Sequence, residues 1–165
     1  MGWTDVKLIL IVFILLIAWN SAFGDDRKCL TENIYFEARG QGQAGWLAVA
    51  QVTQNRVDDK RFPNTVCEVV KQGLTYASGD PIRNKCQFSW FCDGKSDKPK
   101  NIKIYNEIYE LVNYIYDVQG QPNHELLDIT DGATHYHADY VRPSWAKTKT
   151  KTIEIEDHIF YRWEK

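Results

Sequence analysis

Apolar residues recur at three- and four-residue spacing in several stretches of this chain, and at two-residue spacing in its last third. Leu30, Ile34, Tyr35 and Ala38 form the first helical stripe, with neither Gly nor Pro before Gly40, so the spacing predicts a helix that ends near Glu37. Glycines at 40, 42 and 45 then predict a sharp turn with a close backbone approach to a ligand. A second helical pattern begins at Trp46. Trp46, Val49, Ala50, Val52, Thr53 and Val57 share one face, with Gln51, Gln54, Arg56 and Asp58 mostly opposite, as in a core helix with one solvated side. Phe62-Pro63-Asn64-Thr65 reads as a turn in which Asn64 or Thr65 caps a short helix carrying Val66, Val69 and Val70 inward. Ile102, Tyr105, Ile108, Tyr109, Val112, Ile115 and Tyr116 mark the longest helix, which stops before Gly120 and Pro122.

Between Gln72 and Pro99 periodicity gives way to Gly, Ser, Asp, Pro and Lys, which predicts a long functional loop. Inside it lies CQFSWFCDG, residues 86–94, with three aromatics between two cysteines. Bridging those cysteines either aims Phe88, Trp90 or Phe91 at a cleft or makes a stapled mini-core. In the last third, Thr134, Tyr136, Ala138 and Tyr140 alternate with His135, His137 and Asp139, then Ile153 and Ile155 alternate with Glu154 and Glu156, and Ile159-Phe160-Tyr161 follows. This predicts two or three short antiparallel strands, with a Val141–Trp145 loop between them. The fold class expected is therefore α+β, mainly helical, with a small C-terminal antiparallel sheet.

Positions 1–24 differ in kind. Lys7 precedes an apolar run from Leu8 to Ala18, followed by the small-residue site Ala22-Phe23-Gly24, the three-part form of a secretory signal peptide. The run falls short of the roughly 20 residues of a membrane span; joined with Trp19–Phe23 it reads instead as an N-terminal anchor over residues 8–23. The domain expected then covers residues 25–165. A formal net charge of −2 over 165 residues excludes a polybasic nucleic-acid surface, so no nucleic-acid partner is expected. Membrane contact is expected only through the leader, and the domain is expected to act as a monomer. All four cysteines, Cys29, Cys67, Cys86 and Cys92, lie beyond the leader, which in an exported chain argues for two disulfides. Of three connectivities, Cys86–Cys92 closing a short loop, together with Cys29–Cys67, is favoured. Without a CxxC pair the spacing does not suit a zinc finger.

Two constellations compete for the chemistry. Glu37 sits in the last turn of its helix, where the negative end of the macrodipole opposes ionisation and aromatic neighbours Tyr35 and Phe36 raise its pKa further. That suits a proton donor. Around it, Phe88, Trp90, Tyr136, Tyr140 and Trp145 supply stacking faces, and Gln87, Ser89, His135 and His137 supply donors, the mixture a sugar chain needs. The second constellation is His135-x-His137-x-Asp139, two imidazoles and a carboxylate on one strand face that His158 or His124 would complete as a metal site.

Taken in order, YFEARG, AGWLAVAQVTQNRV, FPNTVCEVV, CQFSWFCDG, GATHYHADYVRPSW and HIFYR resemble the SleB/CwlJ-type cell-wall hydrolases, which include spore-cortex-lytic members. The likeness spans roughly residues 29 to 162. It implies a lysozyme- or lytic-transglycosylase-like domain acting on peptidoglycan glycan strands without a cofactor or metal, with Glu37 as the catalytic acid. Where the family commonly carries a second Glu just after the ARG, this chain has Gln41, which cannot act as a base. Glu32 lies on another helical face and is a poor substitute.

One acid suffices for a lytic transglycosylase, in which the muramic acid's own 6-hydroxyl replaces water and gives a 1,6-anhydro product, with proximity supplying much of the rate. The alternatives are a hydrolytic muramidase using Asp139 or Asp131 to position water, a metal-dependent amidase or peptidase built on His135 and His137, and a wall-binding module without turnover. The expected location is periplasmic or extracellular.

Overall fold

A computed structural model of the chain describes residues 26–119 and 127–164. The leader expected at 1–24, Gly120, Pro122 and His124 lie outside the described residues. Among those described, no helix is long and apolar enough to cross a membrane.

Residues 26–38 form helix α1, whose Ile34, Leu30, Tyr35 and Ala38 are buried at 0–3 % exposure. Its last turn is closed from two sides: the indole Nε1 of Trp46 and the backbone N–H of Gln41 both donate to the Ala38 carbonyl, each at 2.9 Å. Helix α2 (Gln43–Asp58) follows directly. Thr65 caps the short α3 (Val66–Val70), its hydroxyl accepting from the Glu68 N–H and donating to the Glu68 carboxylate, a reciprocal cap that satisfies the free N–H at the helix start. Helix α4 (Ile102–Gln119) buries Ile108, Val112 and Ile115. These stripes meet with Phe88 and Trp90 in one apolar core.

The C-terminal sheet has three antiparallel strands, β3 (His135–Ala138), β4 (Thr150–Ile155) and β5 (His158–Arg162), in the order β3-β5-β4. Ala48 and Val52 of α2 pack against Phe160 and Ala133 in a second cluster. Helix α2 is thus sandwiched between the helical core and the sheet, and the one-sided amphipathic reading of it is corrected. Its polar residues are used as well. Gln51 holds the Leu127 carbonyl and the Ile129 N–H, Asn55 holds Asp128, Thr130 and the Ala133 carbonyl, and Arg56 is buried at 5 % exposure. These bonds fix the loop that delivers β3.

The stretch from Gln72 to Pro99 holds a hairpin, β1 (Gly73–Thr75) with β2 (Pro81–Cys86), where a loop was expected. Both strands are largely exposed, so no alternating apolar face announces them. The glycines also have a different role from the one expected. A Cβ on Gly45 would stand 2.2 Å from Gln41 Oε1 and 3.1 Å from Glu156 Oε2, so the close approach is to the chain's own side chains. Glu156, at φ 50° in the β4–β5 turn, accepts the N–H groups of Gly42 and Gly45 at 2.8 and 3.3 Å. A carboxylate there satisfies free N–H groups at the positive end of α2, which has no side-chain cap of its own. Glu156→Ala is expected to lower unfolding stability in urea by about 1 kcal/mol, with Glu156→Gln losing less; an unchanged midpoint would remove the cap.

Candidate active site

The end of α1 and the loop after β2 enclose a cleft of about 390 Å³, lined on one side by Tyr35, Phe36, Glu37 and Arg39 and on the other by Ser89, Trp90 and residues of the 93–100 segment. Trp90 forms its aromatic wall, stacked on Phe36 at 4.7 Å and 19°. Its indole donates to Asn33 Oδ1 at 3.0 Å, Asn33 donates to Thr53 Oγ1 at 3.1 Å, and Thr53 donates to the Val49 carbonyl at 2.9 Å. The wall is therefore tied through α1 to the backbone of α2.

Glu37 faces this cleft with its carboxyl surrounded by protein. Tyr136 of β3 donates its hydroxyl to Glu37 Oε2 at 3.0 Å. Burial pushes the Glu37 carboxyl above its ordinary value of 4.5, against the opposing pull of the Tyr136 bond and the Arg56 charge. Arg56 donates Nε to the Thr134 carbonyl at 2.7 Å, its guanidinium lies 4.8 Å from the Phe88 ring centroid and 5.4 Å from that of Phe62, and its buried Nη1 has no hydrogen-bond partner among the described residues.

The alternation of β3 divides the other expected site residues. Tyr136 shares a sheet face with its register partner Phe160 and packs edge-on against His158 at 4.9 Å, toward α2 and Glu37. His135 and His137 occupy the other face with Trp145 at 5.3 and 5.7 Å and with Tyr161. The structure does not bring His135, His137 or Trp145 to the Glu37 cleft. Tyr140 is 83 % exposed, Gln87 is exposed, and Phe88 is a core residue; of the aromatic loop, Ser89 and Trp90 reach the cleft.

The histidine pair does not converge on a metal position. His137 engages both ring nitrogens, Nδ1 with the Ala138 carbonyl at 2.8 Å and Nε2 with the Tyr161 hydroxyl at 3.0 Å. His135 Nδ1 pairs with Thr134 Oγ1 at 3.0 Å, and burial, with Arg56 next, pushes its pKa down to about 3. Among the described residues no group of three or more His, Cys, Asp or Glu is arranged to hold a metal ion. His158 lies on the opposite face, its Nδ1 2.9 Å from Gln41 Nε2, which holds Gln41 against the sheet. Asp131 is exposed and paired with Arg162 at 2.8 Å, and Asp139 is exposed; neither lines the cleft. Asp93 and Asp97 do, with Arg39, Lys95, Lys98 and Lys100. In the sequence these are scattered charges in a polar loop, and only the fold of that loop against α1 collects them.

Cysteines 29 and 67 are bridged, as are 86 and 92. The first joins α1 to α3 across 38 positions and the second closes the loop, six positions long, that carries Trp90. Loop-closure entropy assigns about 4 kcal/mol to the longer bridge and about 2 kcal/mol to the shorter. Replacing Cys29 and Cys67 by Ser is accordingly expected to lower the melting temperature more than replacing Cys86 and Cys92, whereas the second pair costs more activity per degree lost. The opposite ranking in thermal melts paired with activity assays would reject that division.

The cell wall hydrolase family model matches residues 40–161. This chain belongs to the cell wall hydrolase family. The matched stretch begins three positions after Glu37. The chain is similar to the spore cortex-lytic enzyme of Bacillus subtilis, 24 % identical over 82 % of this chain and 37 % of that protein, and to that of Bacillus cereus, 25 % identical over 86 % and 46 %; it thus spans less than half the length of these curated relatives. Among solved structures it is similar to the catalytic domain of the Bacillus cereus SleB protein, at TM-score 0.55 and 26 % identity over 84 % of this chain and 91 % of that one. The catalytic domain of the germination-specific lytic transglycosylase SleB from Bacillus anthracis gives TM-score 0.56 and 26 % identity over 83 % and 93 %. The α+β architecture with its C-terminal antiparallel sheet is that of this cell wall hydrolase fold.

Proposed function

We propose that this cell wall hydrolase cleaves the glycosidic bond between N-acetylmuramic acid and N-acetylglucosamine in peptidoglycan as a lytic transglycosylase, with Glu37 as acid and then base. The observation that carries the reading is the Glu37 carboxyl itself, on a half-buried residue in a cleft walled by the Trp90–Phe36 stack and held by Tyr136 at 3.0 Å. Burial favours the protonated form, so the carboxyl donates to the glycosidic oxygen as the C1–O bond breaks. The 6-hydroxyl of the same muramic acid then bonds to C1, and its proton passes to the Glu37 carboxylate, which restores the acid. Tyr136 orients the carboxyl through both steps. Trp90 and Phe36 together line the cleft with apolar surface for the C–H side of a pyranose ring.

The Bacillus anthracis neighbour is a germination-specific lytic transglycosylase, which supports the same chemistry here. Action on the wall fits an exported protein that works without a cofactor on glycan strands, as a monomer. A second reading has a specific observation behind it: Asp97 and Asp93 line the same cleft, and a second carboxylate that activates water gives hydrolysis. Digesting purified sacculi with the full chain and weighing the muropeptides separates the two. Transglycosylation predicts 1,6-anhydromuramic ends, lighter by one water than the reducing ends of hydrolysis; fragments with reducing ends alone would overturn it.

A further inference from the structure

The Glu37 cleft carries a charge pattern that proton transfer to a neutral sugar does not require. Arg39, Lys95, Lys98 and Lys100 line it in a chain whose formal net charge is −2. The facing acids offset this incompletely. Asp93 is already engaged with Lys95, through an ion pair at 3.3 Å and the Lys95 backbone N–H at 2.7 Å, which leaves Asp97 alone against Arg39, Lys98 and Lys100 in the lining. Among the described residues Lys98 and Lys100 have no ion-pair partner.

The segment bearing these lysines is built in place. The Tyr35 hydroxyl, on a side chain 3 % exposed, accepts the backbone N–H groups of Lys100 and Asn101 at 3.0 and 2.9 Å. The Asn101 carboxamide then accepts the Ile104 N–H at 3.2 Å, which anchors the start of α4. Tyr35 and Glu37 lie two positions apart at the end of α1, so the cationic segment is clamped to the same turn that presents the acid. Uncompensated ammonium groups on a fixed backbone beside a reaction centre form a subsite for an anion.

We infer that Lys98 and Lys100, at the rim of the Glu37 cleft, bind a carboxylate borne on the 3-O-lactyl substituent of the muramic acid being cleaved. The inference rests on the proposed glycan-strand substrate. The substituent hangs from the ring whose C1–O bond Glu37 protonates, so a group that reads it must line the acid's own cleft. Two sources carry the same chemistry: the lactyl carboxylate itself where the stem peptide is absent, and the carboxylates of the first stem residues where it is present. Recognition of this kind acts in the ground state and belongs in KM more than in kcat.

The test compares soluble peptide-bearing strands, the same strands stripped by an amidase so that the lactyl carboxylate is free, and stripped strands neutralised by carbodiimide coupling to methylamine. For the full chain, KM is expected to be about fivefold higher on neutralised strands than on the better of the two anionic forms, a factor that corresponds to one exposed charge pair of about 1 kcal/mol. The anionic arm with the lower KM names the source. Lys98→Gln combined with Lys100→Gln is expected to raise KM on that arm by about the same factor, with kcat little changed and no loss on neutralised strands. Equal KM on charged and neutral strands, or a double variant that weakens all arms alike, would overturn the inference. Binding of the three strands to the Glu37→Gln variant, measured by calorimetry, keeps the two readings apart. An anionic preference there without cleavage by the unaltered chain would reject the reaction and retain the subsite, and cleavage with no preference in either assay would do the reverse.

Discussion

Glu37→Gln is expected to reduce cleavage of purified sacculi by roughly 10²- to 10⁴-fold, the range typical of a removed general acid, while the protein becomes more stable at neutral pH. Both effects follow from one placement. The Glu37 carboxyl sits among Tyr35, Phe36 and Trp90 at the cleft, with the Tyr136 hydroxyl on one oxygen, and burial holds its pKa above 4.5. A carboxyl whose pKa is raised by folding contributes stability that is fully present below its unfolded value and is lost as pH rises through its folded value. As pH rises above 4.5 the unaltered protein progressively loses that contribution, and a neutral amide of the same shape, still able to accept from Tyr136, avoids the loss. Thermal melts should therefore coincide for the two proteins near pH 4 and separate near pH 8, with the Gln variant higher. In the same window the unaltered enzyme needs its proton, so its rate falls as pH rises through the Glu37 pKa. A variant that keeps its rate takes position 37 out of the mechanism; one that melts lower at pH 8 shows the carboxylate to be stabilising and contradicts the burial argument.

The parts of this arrangement legible in the sequence are those set by local periodicity. The spacing of Leu30, Ile34 and Ala38 fixes the helix that ends at Glu37, and the alternation from Thr134 to Tyr140 fixes a strand with Tyr136 on one face and His135 and His137 on the other. Which face meets Glu37 depends on β5 pairing Tyr136 with Phe160 and on Phe160 packing against Ala48 and Val52 of α2, more than 100 positions away. The histidines are chemistry-bearing residue types, yet their face packs on Trp145 and Tyr161. The hairpin at Gly73–Cys86 leaves no periodic signal because neither strand buries an alternating set. Arg56 is illegible for the opposite reason. Its polar identity and helical position predict a solvated face, and only the packing of Phe62, Phe88 and the Thr134 segment over α2 encloses it.

That enclosure makes Arg56 the second residue whose loss should be felt strongly. Its guanidinium is buried against Phe88 and Phe62, tethered by Nε to the Thr134 carbonyl, with Nη1 unpartnered among the described residues. Its positive charge draws the Glu37 pKa down, against the larger effect of burial. An acid that must release its proton and later recover it works best when neither form is overwhelmingly favoured. Arg56→Met removes the charge and keeps the bulk, so the Glu37 pKa is expected to rise and the alkaline limb of the rate profile to move to higher pH. The maximum rate should fall by about 10²-fold, as when one preorganised electrostatic group is taken from a site of developing charge. Arg56→Lys keeps a cation but not the planar group over Phe88 or the Nε bond; it should hold the limb near its original pH while losing stability. The pH profile separates the roles, because a purely structural Arg56 would lower the rate of both variants by their shared loss of packing and leave both limbs where they were. Identical limbs in the unaltered protein and the Met variant would thus confine Arg56 to holding the Thr134 backbone and, through it, Tyr136.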